Sequence, residues 1–345
     1  MQTESSAVPG DMIPGSTNAG QISVVIPAYN ASKYLAATLR SVLEQSRPPS
    51  EIIVVDDGST DDTVSIALSF GARVISVPNG GPSAARNAGT RAASGEYIAY
   101  IDADDLWAAD KLECQVATLM AHTKPAFSFT DYRLFDERGV YGRPSELLHH
   151  WAFRKIAGTK RGAAEIWLTP HDGGPVLYDS YIPPSAVVVR RADALAVGGF
   201  DETLRVTEDF EFYLRLLKIV PAVAVMKPLL LYRQHPGQAT ADATLMRAGF
   251  FDVAARVAAA PDRYPLGDAR YILDTEFLRY FSVGIKQARI GQFDVAVLSF
   301  QSSLKSRWSA RAFFALIGSL VCRSAVGQFA FNAARTLWKS RPRRR

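Results

Sequence analysis

Cysteine is scarce in this 345-residue chain: Cys114 and Cys322 stand far apart and outside any C-x-x-C pair. That excludes a disulfide framework and a thiolate zinc site, and makes a reducing compartment the default. Long apolar runs are also missing. The longest, Ala312–Cys322, contains Gly318 and Ser319 and stops at Arg323, short of the ~18 residues a bilayer-spanning helix needs. The first 20 residues are polar, rich in Pro, Gly, Ser and Thr, and have no apolar h-region, so disorder is expected there and neither a signal peptide nor an anchor. No G-x-x-x-x-G-K-[ST] occurs, and no G-x-G-x-x-G follows the first strand-like run. Nucleoside triphosphatases of the P-loop kind and dinucleotide-dependent enzymes thereby lose their phosphate-binding loops.

Acidic residues vanish from one stretch. Between Lys305 and Arg345 ten basic residues stand with no Asp or Glu, while the rest of the chain holds 29 basic against 34 acidic groups. The net charge of +5 therefore belongs to the tail, and the body is mildly acidic. A body that binds nucleic acid is not expected; an anionic partner for the tail is.

What the chain does have is an apolar fraction of 48% with 21% charged residues, enough for a large folded core and, on length, about two domains. From Gln21 onward short β-branched runs alternate with amphipathic stretches. Strands are expected at 22–27, 52–56, 73–77 and 97–101, with helices at 33–45, 61–70 and 83–93 between them. Continuous apolar runs mark strands buried on both faces, so the expected fold is α/β, a mostly parallel sheet flanked by helices. Further strands are expected at 126–131, 185–190 and 229–233, and a helix at 210–219. Residues 132–180 show weak periodicity and read as an insertion or lid. Past Ala239 the pattern is helical, with a hairpin expected over 271–290 and 293–305.

Polar clusters follow three of these strands, where ligands bind in parallel α/β sheets. Asp102-Ala103-Asp104-Asp105 puts three carboxylates in four residues; they repel unless a hard divalent cation compensates them, or they cap the turn before Leu106. Asp56-Asp57-Gly58-Ser59 offers an acid for a base N–H, while capping alone accounts for Ser59–Asp62. Arg86, in the first turn of a small-residue helix, conflicts with the helix dipole unless it meets an anion or a nearby Asp. Glu208-Asp209 opens a helix, an ordinary place for acids. His149, His150 and His171 read as surface or packing residues.

Together these segments are more specific than any one of them. Val24-Val25-Ile26-Pro27-Ala28-Tyr29-Asn30, Val54-Val55-Asp56-Asp57-Gly58, Ala84-Ala85-Arg86-Asn87-Ala88-Gly89, Asp102-Ala103-Asp104-Asp105, Gly198-Gly199-Phe200-Asp201-Glu202, Glu208-Asp209 and Tyr232-Arg233-Gln234-His235 resemble, in order and spacing, a family 2 glycosyltransferase of the GT-A fold. The resemblance covers about 21–240, leaving 241–345 as a helical region outside it. It implies an inverting transfer of a sugar from a nucleoside diphosphate donor, a UDP-sugar by family tendency, to a saccharide or lipid-linked acceptor in cell-surface polysaccharide or glycolipid synthesis. It implies that Pro27, Tyr29, Asn30, Asp56, Asp57, Arg86, Asp102 and Asp104 bind the donor. By the same resemblance Asp104, Asp105 and His235 meet Mg²⁺ or Mn²⁺, and Asp209 is the general base. A helix N-terminus would weaken that base unless burial or Glu208 offsets it. A receiver-type signalling domain fits less well, because the acidic clusters here follow the second and fourth strands.

In the tail, Phe313, Phe314, Leu316, Ile317, Phe329, Phe331, Leu337 and Trp338 alternate with Arg311, Arg323, Arg335 and Lys339. Apolar groups beside basic ones suit a helix pair in an anionic interface, or a helical cap docked on the catalytic domain. The first alternative implies a cytoplasmic protein held on the inner face of the membrane. Liposome flotation tests it: the full chain floats with anionic vesicles, a variant lacking Lys305–Arg345 stays behind, and equal flotation of both rejects the interfacial helix pair.

Overall fold

The computed structural model describes residues 20–122, 126–158, 163–169, 182–238, 240, 242–264 and 292–306, with 313, 315–316 and 319–320. The expectations for residues 1–19, the 271–290 hairpin, His171 and most of the basic tail lie outside these. Strands β1 (Ile22–Ala28), β2 (Glu51–Asp56), β3 (Arg73–Ser76) and β4 (Tyr97–Tyr100) alternate with helices α1 (Leu35–Leu43), α2 (Thr63–Ser69) and α3 (Gly81–Ala92). Each matches its expected segment to within two residues. The chain continues through β5 (Leu106–Trp107), α4 (Lys111–Ala121), β6 (Phe127–Asp136), β7 (Gly139–Tyr141), β8 (Glu165–Leu168), β9 (Val187–Arg190) and β10 (Ala222–Arg233).

All ten strands form one sheet, ordered β3-β2-β1-β4-β9-β6-β10-β5, with β7 on β6 and β8 on β10. β3, β2, β1 and β4 pair in parallel, as do β6 and β10, while β9 runs antiparallel between β4 and β6. Strands β1 and β4, in the middle of the sheet, are buried on both faces, which is why they read as apolar runs broken only by Ser23. On α1 the buried residues Leu35, Leu39 and Val42 lie at helical spacing and face the sheet.

Two expectations change. β10 spans Ala222–Arg233, not 229–233 alone; Pro228 and the register shifts around it interrupt its strand signal. Described residues of the 132–180 segment extend β6 to Asp136 and add β7, β8 and a helix, Trp151–Ala157. Those strands are short or lie toward the sheet's edge, so their alternation is weak.

At Gly89 the helix α3 meets β1 so closely that a Cβ would sit 2.4 Å from Val25 Cγ1 and 3.1 Å from Val55 Cγ2. This contact seats α3, and with it Arg86, against the sheet. Ala in place of Gly ordinarily stabilises a helix interior by about 1 kcal/mol, but overpacking costs about 1–3 kcal/mol. Gly89→Ala therefore lowers stability in urea unfolding, and a gain would show that the contact yields.

Candidate functional site

A cleft of about 1330 Å³ opens beyond the carboxyl ends of β1, β2 and β4, larger than the roughly 300–1,000 Å³ of common ligand pockets. Pro27, Tyr29, Asn30 and Asp57 form one wall. Asn30 holds a left-handed backbone (φ 47°); its N–H donates to Ser59 Oγ (2.9 Å) and its Oδ1 accepts from Thr60 N–H (2.8 Å). The loops after β1 and β2 are thus pinned together. The Asp57 carboxylate accepts the Gly80 and Gly81 N–H groups at 2.7 and 2.8 Å, placing an anion at the N-terminus of α3. Asp56 is buried and accepts Ser59 N–H (3.0 Å), closing the turn after β2 beside the cleft-lining Asp57.

The acidic loop after β4 divides its three carboxylates. Asp102 pairs with Arg86 at 2.6 Å. Asp104 faces the cleft and meets His235 Nε2 at 2.8 Å. Burial and the charge of Asp102 push the Asp104 carboxyl above its ordinary acidity range, with His235 opposing. Asp105 is fully buried, accepting Ser185 Oγ–H at 2.5 Å and Arg233 N–H at 2.8 Å. Its two oxygens thus tie the 184–186 turn and β10 to the loop, and Asp105 is not among the residues that line the cleft.

Arg86 stands in the second turn of α3, which starts two residues earlier than expected, so its conflict with the helix dipole is mild. It is buried and bridges Asp102 and Glu208, the latter at 2.8 Å. Of its two expected fates, an anionic ligand or neighbouring carboxylates, the geometry shows the second. Its Nε is buried without a hydrogen-bond partner at the edge of the same cleft.

Asp209 lines this cleft too, in the first turn of the helix Glu208–Ile219. Its carboxyl is pushed up to about 7, by burial first and the charge of Glu208 second, against the Phe210 N–H and Arg86. The tension left by the sequence is resolved: burial outweighs the helix terminus.

No group of three or more His, Cys, Asp or Glu among the described residues is arranged to hold a metal ion. Asp104 and His235 nevertheless make a donor pair of the right chemistry. Mg²⁺ takes one or two carboxylates and fills its shell with phosphate oxygens and water, and the Asp104 carboxyl, pushed up by burial and then by the charge of Asp102, is one that a cation would return to its ionised form.

Several cleft residues escaped the sequence reading. Arg233 donates to the Asp104 carbonyl (2.6 Å) while its guanidinium lies over the rings of Tyr34 and Phe135. Its place in the Tyr232–His235 segment was the available signal. Tyr132, His149 and His150 line the opposite wall, with Tyr132 Oη 3.1 Å from His150 Nε2; of the two alternatives for these histidines, surface or packing, the structure shows the surface, here the surface of the cleft. Met246 joins them from beyond position 240.

With this geometry in place, comparison with known proteins is informative. Residues 23–175 match the model of glycosyl transferase family 2. A Bacillus subtilis glycosyltransferase named for teichuronic acid biosynthesis is 43% identical over 125 residues, covering 34% of this chain and 49% of that protein. An Escherichia coli protein named UDP-Glc:alpha-D-GlcNAc-diphosphoundecaprenol beta-1,3-glucosyltransferase is 34% identical over 126 residues, covering 35% and 49%. The chain thus spans about half the length of each relative. Among solved structures, residues 1–349 of S. aureus TarS with UDP-GlcNAc align with a TM-score of 0.61 at 19% identity, over 94% of this chain and 93% of that one. That likeness bears out the expected fold.

The raised pKa of Asp209 has a consequence for stability. A carboxyl lifted from 3.8 to about 7 binds its proton more tightly in the folded chain than in the unfolded one, so stability falls as pH climbs from about 4 to 7 and then levels. Asp209→Asn removes this loss. Its melting temperature should exceed that of the unmodified chain at pH 8 by more than at pH 4.5; a constant difference would mean that Asp209 is not raised.

Proposed function

Because the chain belongs, over residues 23–175, to the family 2 glycosyltransferases, we propose that it transfers a sugar, with inversion, from a nucleoside diphosphate donor to an acceptor hydroxyl. The observation that carries this reading is that one cleft holds Asp104 and His235, a cation-binding pair, together with Asp209, a carboxyl pushed up to about 7. The volume of the cleft leaves room for both substrates.

Breaking the bond from C1 to a diphosphate oxygen loads negative charge on the leaving group while the sugar gains oxocarbenium character. Pro27, Tyr29, Asn30 and Asp57 form the wall for the nucleoside, and the pinned loops and Gly80–Gly81 turn hold it without rearrangement. Mg²⁺ or Mn²⁺, held by Asp104 and His235, would supply electrostatic stabilisation of the diphosphate. Arg86 keeps Asp102 and Glu208 paired and so fixes the distance between the acidic loop and the base helix. Asp209, deprotonated above about pH 7, takes the proton of the incoming hydroxyl; such general bases contribute about 10²–10⁴-fold. A pKa near the working pH suits a base that must accept a proton and release it again.

We assign the donor to the UDP-sugars and the acceptor to a saccharide or lipid-linked glycan of the cell surface. Relatives named for teichuronic acid synthesis and for a diphosphoundecaprenol acceptor support that assignment. Among the described residues no helix is long and apolar enough to cross a membrane; a lipid-linked acceptor would be met at the inner face of the cytoplasmic membrane through the basic tail.

Calorimetric titration with UDP and Mn²⁺, paired with a transfer assay over a panel of nucleotide sugars, tests the reading. Asp104→Ala should abolish the Mn²⁺-dependent part of UDP binding. Asp209→Asn should keep UDP binding and lower turnover by about 10²-fold or more, while the unmodified enzyme's rate rises with pH through about 7. Undiminished turnover in Asp209→Asn would discard its assignment as base.

A further inference from the structure

The residues just before Asp209 hold an unusual backbone. Thr207 is left-handed, φ 63° and ψ 16°, a conformation that costs a β-branched residue about 1–3 kcal/mol and persists only where its surroundings enforce it. Its hydroxyl is turned to Val206 O (2.5 Å), and the helix Glu208–Ile219 has no side-chain N-cap. Nothing within the loop itself therefore secures the start of that helix.

The enforcement comes from the helix Ala243–Ala259, well outside the matched residues 23–175. At Gly249 a Cβ would lie 2.6 Å from Val206 Cγ2, 2.7 Å from Thr207 Oγ1 and 3.0 Å from Val206 O; only glycine permits this approach. Phe250 meets Phe210 edge to face at 5.5 Å. Arg256 reaches back to the same loop with two nitrogens, Nη1 to Asp201 Oδ2 at 2.5 Å and Nη2 to Thr203 Oγ1 at 2.7 Å. Just beyond the helix, Tyr264 Oη donates to Glu211 Oε1 (2.8 Å), two residues past Asp209. These contacts bracket Asp209 on both sides in sequence.

We infer that the helix Ala243–Ala259 is a brace that sets the general base: Gly249 and Arg256 are positioning residues that hold the 201–207 loop, and through it Asp209, in its reactive place. The inference rests on Asp209 being the base. The groups acting on its charge are Glu208 and Tyr213 on its own helix, Arg86 on α3 and Asp102 at the end of β4; the brace meets the residues on either side of it through Gly249 and Phe250, both neutral, and its one charged group in this contact, Arg256, is paired with Asp201. Its effect on Asp209 is thus to exclude water and fix position. Misplacement by about 1 Å costs on the order of 10²-fold in rate.

The test compares Gly249→Ala, Arg256→Gln and Arg256→Lys with the unmodified full chain and with Asp209→Asn. Calorimetry with UDP and Mn²⁺ reads donor binding, and the transfer assay reads kcat and its pH midpoint. Gly249→Ala should lose about 10- to 100-fold in kcat with UDP affinity and donor KM unchanged, and its pH midpoint should move down as water reaches the carboxyl. Arg256→Gln should move both quantities the same way by less, with Arg256→Lys recovering part of the loss. If Gly249→Ala fails to fold, the two Arg256 variants decide. An unchanged kcat and midpoint in folded variants overturns the brace, and so does a parallel loss of UDP binding and turnover, which would mark a merely structural role. Should Asp209→Asn itself keep its turnover, the reading of the base fails first, and the two failures remain distinguishable.

Discussion

A buried guanidinium between two carboxylates joins the parts of this molecule that chemistry must keep in register. Arg86 leaves α3 and meets Asp102 at the end of β4 and Glu208 at the start of a helix 122 residues further on. Each ion alone would be expensive to bury, and taking away one partner of such a cluster leaves uncompensated charge worth about 3–5 kcal/mol. The cluster ties the acidic loop to the helix Glu208–Ile219 across the cleft. The close seat of α3 at Gly89, the capping of its N-terminus by Asp57 and the pairing of Glu208 all serve the same fixed geometry.

Within that frame the role of each acid follows from what its oxygens already touch. Asp56 and Asp105 are spent on backbone and hydroxyl donors and hold turns. Asp57 is half spent, capping a helix while still facing the cleft. Asp104 and Asp209 keep free capacity, and both are made weaker acids, chiefly by burial. Perturbed carboxyls gathered in one cleft are what a transfer reaction with an anionic leaving group and a hydroxyl nucleophile demands.

Much of this was legible in the sequence. The four parallel strands and three helices of the first hundred residues were readable because burial on both faces leaves apolar runs such as Ile22–Ile26, broken only by Ser23, and because acids after such strands have few structural uses. Strands β5, β7 and β8 were not, since two to four residues carry no measurable period. β10 was seen only at its end because Pro228 interrupts it. The sequence could place Asp105 beside Asp104 but not tell them apart, for a one-residue step turns one side chain into the cleft and the other onto Ser185. His149, His150 and Met246 became visible only when distant segments met, as did the contact between Gly249 and Thr207.

Strand β9 lies between β4 and β6 and runs against both, yet it comes from residues 187–190, after the matched segment ends. Without it, β4 and β6 have no hydrogen-bonded neighbour in common, and the sheet parts into two ribbons with bare inner edges. The segment 23–175 is therefore not a self-sufficient folding unit in this chain. Chimaeras between relatives would do better to cross over beyond the helix Ala243–Ala259, which keeps every described strand of the sheet and the contacts of Gly249 and Arg256, than at the boundary that sequence similarity suggests.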